Sequence, residues 1–158
     1  MKKFELVCSV QECDPEELSE EHKKLIEAAN EALDTAYAPY SNFQVGAAIL
    51  LSNNIIIKGS NQENAAYPSG LCAERVAFFN AAVQFPGIAI NAVAITSSLR
   101  REEPIAPCGA CRQVMAEYEL NQNSTIKIIL APTKGKVFIL NNIKDMLPLY
   151  FSGDWLRK

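Results

Sequence analysis

The 158 residues, 49 % apolar and 21 % charged, are enough for one packed core and exclude a disordered, collagen-like or coiled-coil chain. Fifteen Lys and Arg against eighteen Asp and Glu leave a formal charge of −3 with no basic run, so the electrostatic footprint of a nucleic-acid binder is missing. The longest apolar stretch, residues 45–51, falls far short of the ~20 that cross a bilayer, and Glu5 interrupts the start at Met1-Lys2-Lys3 with no small-residue cleavage site after it; no membrane partner and a cytoplasmic location are expected.

Leu18, His22, Leu25, Ile26, Ala29, Leu33 and Tyr37 recur at helical spacing and predict an amphipathic helix that Pro39 stops. Its start has two candidate caps. Asp14 precedes Pro15 and has Glu17 three residues on, and Ser19 lies one turn later. Residues 44–51 and 55–58 are β-branched and apolar runs around Ser52-Asn53-Asn54, a tight hairpin of antiparallel strands. A loop then leads to a helix over 72–83, ended by Pro86-Gly87, and to a strand over 91–96. A second helix over 108–120 is followed by strands over 126–130 and 136–140. The Thr133-Lys134-Gly135 turn between these is too short for a crossover, so the last two strands are expected to be antiparallel. The order α-β-β-α-β-α-β-β implies a mixed sheet flanked by helices. Residues 19–158 read as a single catalytic domain; residues 1–18 read as an N-terminal extension whose order the pattern leaves open.

The five cysteines, Cys8, Cys13, Cys72, Cys108 and Cys111, form an odd set in a chain expected to stay reduced, which disfavours structural disulfides. Cys108-Gly109-Ala110-Cys111 places two thiols on one face at a predicted helix start, where backbone N–H groups favour thiolates. That pair alone leaves metal and redox chemistry open. Cys72, 36 residues earlier at another predicted helix start, adds a third thiolate: three corners of a tetrahedral Zn²⁺ site with the fourth left open for water. Glu74, two residues on, can lie beside such a metal without binding it, as a proton acceptor and donor. Cys72-Ala73-Glu74 followed by Pro107-Cys108-Gly109-Ala110-Cys111 has the form of the zinc nucleobase deaminase signature. Asn61 and Glu63 alternate on an extended stretch and so face the same way, offering an amide and a carboxylate to a pair of hydroxyls.

Four stretches, residues 37–48 (YAPYSNFQVGAA), 61–67 (NQENAAY), 72–75 (CAER) and 107–113 (PCGACRQ), together resemble the small homotetrameric cytidine deaminases, and the likeness runs over roughly residues 20–152. The resemblance implies an α/β three-layer sandwich with a mixed five-stranded sheet. It further implies hydrolysis of cytidine and deoxycytidine to uridine and deoxyuridine plus ammonia, as in pyrimidine salvage. By the same resemblance Cys72, Cys108 and Cys111 would hold one Zn²⁺ per subunit and Glu74 would carry the protons. Arg75 would draw charge from the ligand sulfurs, which leave the cluster formally at −1, and Pro107 would stand behind the ligands. Asn61 and Glu63 would bind the ribose 3′-hydroxyl, Phe43 would stack on the pyrimidine, and Ala73 would touch substrate. Ala65 and Tyr67, together with Phe151 from a neighbour, would make the site composite and the homotetramer necessary.

The runner-up is a zinc deaminase of another aminated heterocycle, such as a blasticidin-type nucleoside, against which Phe43 and Asn61-x-Glu63 speak. A thiol-disulfide oxidoreductase is disfavoured by Cys72, and a structural zinc module by the lack of a fourth Cys or His ligand. A polynucleotide deaminase fits poorly with the acidic balance and the final antiparallel hairpin. His22, the only histidine, lies in the first helix and is given no role; Cys8, Cys13 and Trp155 are given none either.

Overall fold

In the two central strands every second residue faces the same way, and both faces are buried. The computed structural model describes residues 1–156. Its sheet has the order β1-β6-β5-β4-β2-β3, with β1 Gln11–Cys13, β2 Val45–Leu51, β3 Ile56–Ser60, β4 Ile90–Ser97, β5 Lys127–Leu130 and β6 Val137–Leu140. Val45, Ala47, Ile49 and Leu51 of β2, with Val93 and Ile95 of β4, face helices α2 (Ala73–Gln84) and α3 (Gly109–Gln122). Ala48 and Leu50, with Ala92 and Ala94, face helix α1 (Glu20–Ala32). The result is the expected three-layer α/β sandwich with an antiparallel last pair, β5 and β6.

The sheet has six strands, not the expected five. Residues 11–13 carry no apolar alternation to announce a strand; they pair antiparallel with the otherwise open edge of β6, and Lys136 Nζ reaches Asp14 Oδ2 at 3.2 Å just beyond the pairing. Both candidate helix starts are used. Asp14 opens a single 3₁₀ turn, Pro15–Glu17, its N–H donating to Glu17 Oε2 at 2.8 Å, and Ser19 Oγ caps α1 by accepting from His22 N–H at 3.3 Å. The helix expected to run to Pro39 ends at Ala32 and tightens into a 3₁₀ turn, Leu33–Thr35.

Strand direction brings the two cysteine-bearing helices together. β2 is antiparallel to both β3 and β4, so β3 and β4 are parallel to one another, and β4 is parallel to β5. Helices α2 and α3 therefore each connect parallel strands, cross in the same direction over the same face, and begin at the same end of the sheet, beyond the strand C-termini. Gly59 sets how close α2 lies: a Cβ there would come within 2.4 Å of the Ala77 nitrogen and 2.6 Å of the Ala73 carbonyl oxygen. Among the described residues no helix is long and apolar enough to cross a membrane.

Candidate active site and metal centre

Cys72 and Cys108 occupy the N-cap positions of α2 and α3, both in extended backbone, while Cys111 lies one turn into α3, fully buried. The Cys108 and Cys111 sulfurs are 3.5 Å apart, those of Cys72 and Cys108 3.9 Å, and all three lie within 4.8 Å of one another. A disulfide needs ~2.05 Å between sulfurs. Thiolates at ~2.3 Å from a tetrahedral zinc stand about 3.8 Å apart, which the two short separations bracket. The hydrogen bond from the Cys111 thiol, followed by those from the Arg75 guanidinium and Cys108, holds the Cys72 thiol down at about 5. The interaction with Cys72, then burial, pushes Cys111 up. The lowering at Cys72 favours the thiolate form that a soft cation needs, at the positive end of α2.

Arg75 Nη2 lies 3.8 Å from Cys72 Sγ and 3.4 Å from the Gly70 carbonyl oxygen, and its buried Nε meets no hydrogen-bond partner among the described residues. An uncompensated guanidinium edge beside three sulfurs suits a cluster with surplus negative charge. Glu74, in the first turn of α2, is 4 % exposed. Burial, and then the negative charge at Cys72, raise its carboxyl above the ordinary range. Such a carboxyl holds a proton more readily than a solvated one, as a group that must accept and return protons should.

Cys72, Glu74, Arg75 and Cys108 line a cavity of about 610 Å³. Phe43, Asn61, Glu63 and Tyr67 line it as well. Irregular backbone carries this second group, held by cross-links between two segments. The Tyr37 N–H donates to the Asn61 carbonyl at 2.9 Å, and the Glu63 N–H to the Tyr37 carbonyl at 2.8 Å. Asn61 is more committed than its expected role suggests: Oδ1 accepts from the Val45 N–H at 2.8 Å and Nδ2 donates to the Phe43 carbonyl at 2.9 Å, leaving one amide N–H for anything else. Glu63 Oε2 accepts the N–H groups of Tyr40 and Ser41 at 2.9 and 3.2 Å, and Oε1 accepts from the Ser41 hydroxyl. The Ser41 and Tyr40 hydrogen bonds hold the Glu63 carboxyl below its ordinary value.

Ser41 is the residue sequence reasoning passed over. Its hydroxyl also accepts from the Phe43 N–H at 3.0 Å, so one side chain ties the carboxylate to the aromatic ring's backbone; a Ser two residues before an aromatic, in a loop, is the turn signal that points to it. The other expected site residues lie off the cavity. Ala73 and Cys111 are buried, Pro107 is buried with its carbonyl accepting from Arg112 Nε at 2.8 Å, and Ala65 is exposed. Phe151 is 56 % exposed and does not line its own chain's cavity.

Residues 19–126 match the family model described as the cytidine and deoxycytidylate deaminase zinc-binding region, a span that holds all three sulfurs and Glu74. The chain belongs to the cytidine and deoxycytidylate deaminases. A cytidine deaminase of Sporosarcina psychrophila is 42 % identical over 133 residues, covering 84 % of this chain and 92 % of that relative. One of Halalkalibacterium halodurans is 37 % identical over 142 residues, covering 85 % and 96 %. The crystal structure of cytidine deaminase from Burkholderia pseudomallei superimposes with a TM-score of 0.73 at 43 % identity, over 82 % of this chain and 98 % of that one. In this deaminase His22 lies on α1, across the sheet from the sulfur cluster, and the described residues form no metal-suited cluster that includes Cys8 or Cys13.

Proposed function

We propose that this chain hydrolyses cytidine and deoxycytidine to uridine and deoxyuridine with release of ammonia. The observation that carries the reading is the buried Glu74 carboxyl beside three converging sulfurs, with Cys72, Cys108 and Glu74 in the lining of a cavity. Zinc held by Cys72, Cys108 and Cys111 would supply the Lewis acidity that makes water a nucleophile near neutral pH. Glu74 takes the proton from the water that attacks C4 of the cytosine ring and delivers it to N3. It then takes the second water-derived proton from the C4 hydroxyl and carries it to the exocyclic nitrogen, so that the C4–N bond breaks as ammonia leaves and a carbonyl remains at C4. Phe43 stacks against the pyrimidine. The remaining N–H of Asn61 and the Glu63 carboxylate meet the 3′-hydroxyl. Arg75 offsets the surplus charge of the sulfurs, and Pro107 shapes the loop before Cys108.

Tyr67, 76 % exposed, and Phe151 present large apolar surface to solvent in the isolated chain, which supports a homotetramer whose sites are shared between subunits, with Ala65 at the same boundary. In this reading residues 19–158 are the catalytic domain, residues 1–18 an extension that adds the edge strand, and the enzyme works in cytoplasmic pyrimidine salvage. The test is ultraviolet absorbance of cytidine incubated with purified protein, with zinc counted per chain. Conversion to uridine with about one zinc per subunit is expected; bound zinc with cytidine and deoxycytidine both untouched would discard the substrate.

A further inference from the structure

Helix α3 does more than present two sulfurs, because its side chains grip the segment that follows the last strand. Glu119 Oε2 accepts the Ile143 N–H at 3.0 Å. Arg112, the residue after Cys111, donates from Nη1 to the Met146 carbonyl at 2.8 Å while its Nε donates to the Pro107 carbonyl at 2.8 Å. Gln113 donates from Nε2 to the Phe151 carbonyl at 2.7 Å. Farther along the helix, Gly153 lies so close to Glu117 that a Cβ there would be 3.1 Å from the carboxylate.

Between the grips of Arg112 and Gln113 the backbone leaves the helix. Leu149 is 81 % exposed and has φ of 54°, a left-handed conformation that a leucine keeps only where its flanks are held. Phe151, at the second grip, meets the ring of Trp155 edge-on with centroids 6.0 Å apart. The same turn of α3 thus fixes the loop before Cys108, the entry of the tail and its exit. The forked guanidinium lets one residue reach two carbonyls on opposite sides.

We propose that Arg112 and Gln113 are positioning residues that hold Phe151 in a fixed relation to the cysteine pair, so that the metal ligands of one subunit and the aromatic tail it offers form one rigid piece. The proposal rests on the reading of Phe151 as the residue that completes a neighbouring copy's site.

Trp155, the only tryptophan, reports the tail directly. The test compares Gln113→Ala, Arg112→Lys and Phe151→Ala in the zinc-loaded full chain, by time-resolved anisotropy of Trp155, hydrogen exchange over residues 147–156, zinc per chain and cytidine kinetics. Gln113→Ala is expected to free Trp155 rotation and speed exchange, and to raise KM about three- to tenfold, the scale of one hydrogen bond, with kcat and zinc content unchanged. Arg112→Lys is expected to loosen the same residues. Unchanged anisotropy and exchange in both variants would overturn the proposal. So would a loosened tail with unchanged KM when Phe151→Ala raises KM. If Phe151→Ala leaves KM untouched, the assignment of Phe151 fails, and with it the claim that the grip serves a neighbour's site, whereas anisotropy still decides whether Arg112 and Gln113 hold the tail.

Discussion

At one end of the cavity Cys72, Glu74 and Cys108, with the buried Cys111 next to them, are carried at or within the first turns of two helices that rest on the buried face of the sheet. At the other end, Phe43, Asn61 and Glu63 stand on irregular backbone joined by hydrogen bonds between side chains and main chain. Helix starts on a packed sheet are rigid because moving them opens the core. At the loop end Phe43 packs against the core and Asn61 is buried, but the backbone there is irregular and its shape depends on a few polar side chains each making two or three bonds. Damage at the first end should therefore remove chemistry or folding; damage at the second should weaken binding and spare the chemistry.

Removing the metal gives the sharpest contrast. Chelation is expected to abolish turnover, and zinc to restore it, while circular dichroism keeps the helix and strand signature of a fold whose core includes Cys111 but extends across both faces of the sheet. Unfolding on chelation would show that the metal end holds the fold as well as the chemistry. Glu74→Gln should lower kcat by about 10²- to 10⁴-fold, the usual worth of general acid–base catalysis, with zinc per chain unchanged; near-normal turnover with bound zinc would overturn the role of Glu74.

Gly59→Ala attacks the support of the metal end without touching a ligand. The added methyl meets the backbone of α2 at Ala77 and Ala73, so the helix must shift. A loss of about 1–3 kcal/mol in urea unfolding is expected, with weaker zinc retention; an unchanged protein would mean that α2 can slide freely.

At the loop end, Ser41→Ala should raise KM for cytidine about three- to tenfold and leave kcat unchanged, read by steady-state kinetics. The pH dependence sharpens the point. The Ser41 hydroxyl and the Tyr40 N–H hold the Glu63 carboxyl below 4.5, so their stabilisation is present above that pH and is lost as pH falls through the lowered value. The difference in urea midpoint between the unaltered protein and Ser41→Ala should be widest near neutrality and close in acid. A constant difference would show that Ser41 acts through packing and not through the carboxylate.

Much of the metal end was legible in the sequence. Cysteines three apart at a helix start, with a third beside a glutamate, admit few other uses, and the run from Cys72 that Pro86-Gly87 ends located the first of the two helices. The hairpin of β2 and β3 and the antiparallel last pair were legible for the same local reason. The edge strand was not, because residues 11–13 are polar and become a strand only when β6 offers its free edge. The loop end was half legible: Asn61 and Glu63 could be named, but the occupation of the Asn61 amide by Phe43 and Val45, and the hold of Ser41 on Glu63, join residues that lie 16 to 22 positions apart in the chain.

Composition, periodicity and the spacing of Cys72, Glu74, Cys108 and Cys111 by themselves pointed to an α/β fold with a cysteine metal site and a carboxylate next to it in the chain, because helix geometry turns short spacings into shared faces. Only the tertiary structure decided that the two helix starts converge, since that depends on β3, β4 and β5 running in the same direction. It alone also decided that the tail after β6 is held by Arg112 and Gln113 on the helix that bears Cys111. Hydrogen bonds between distant segments have no periodic signature; they exist once the chain is packed.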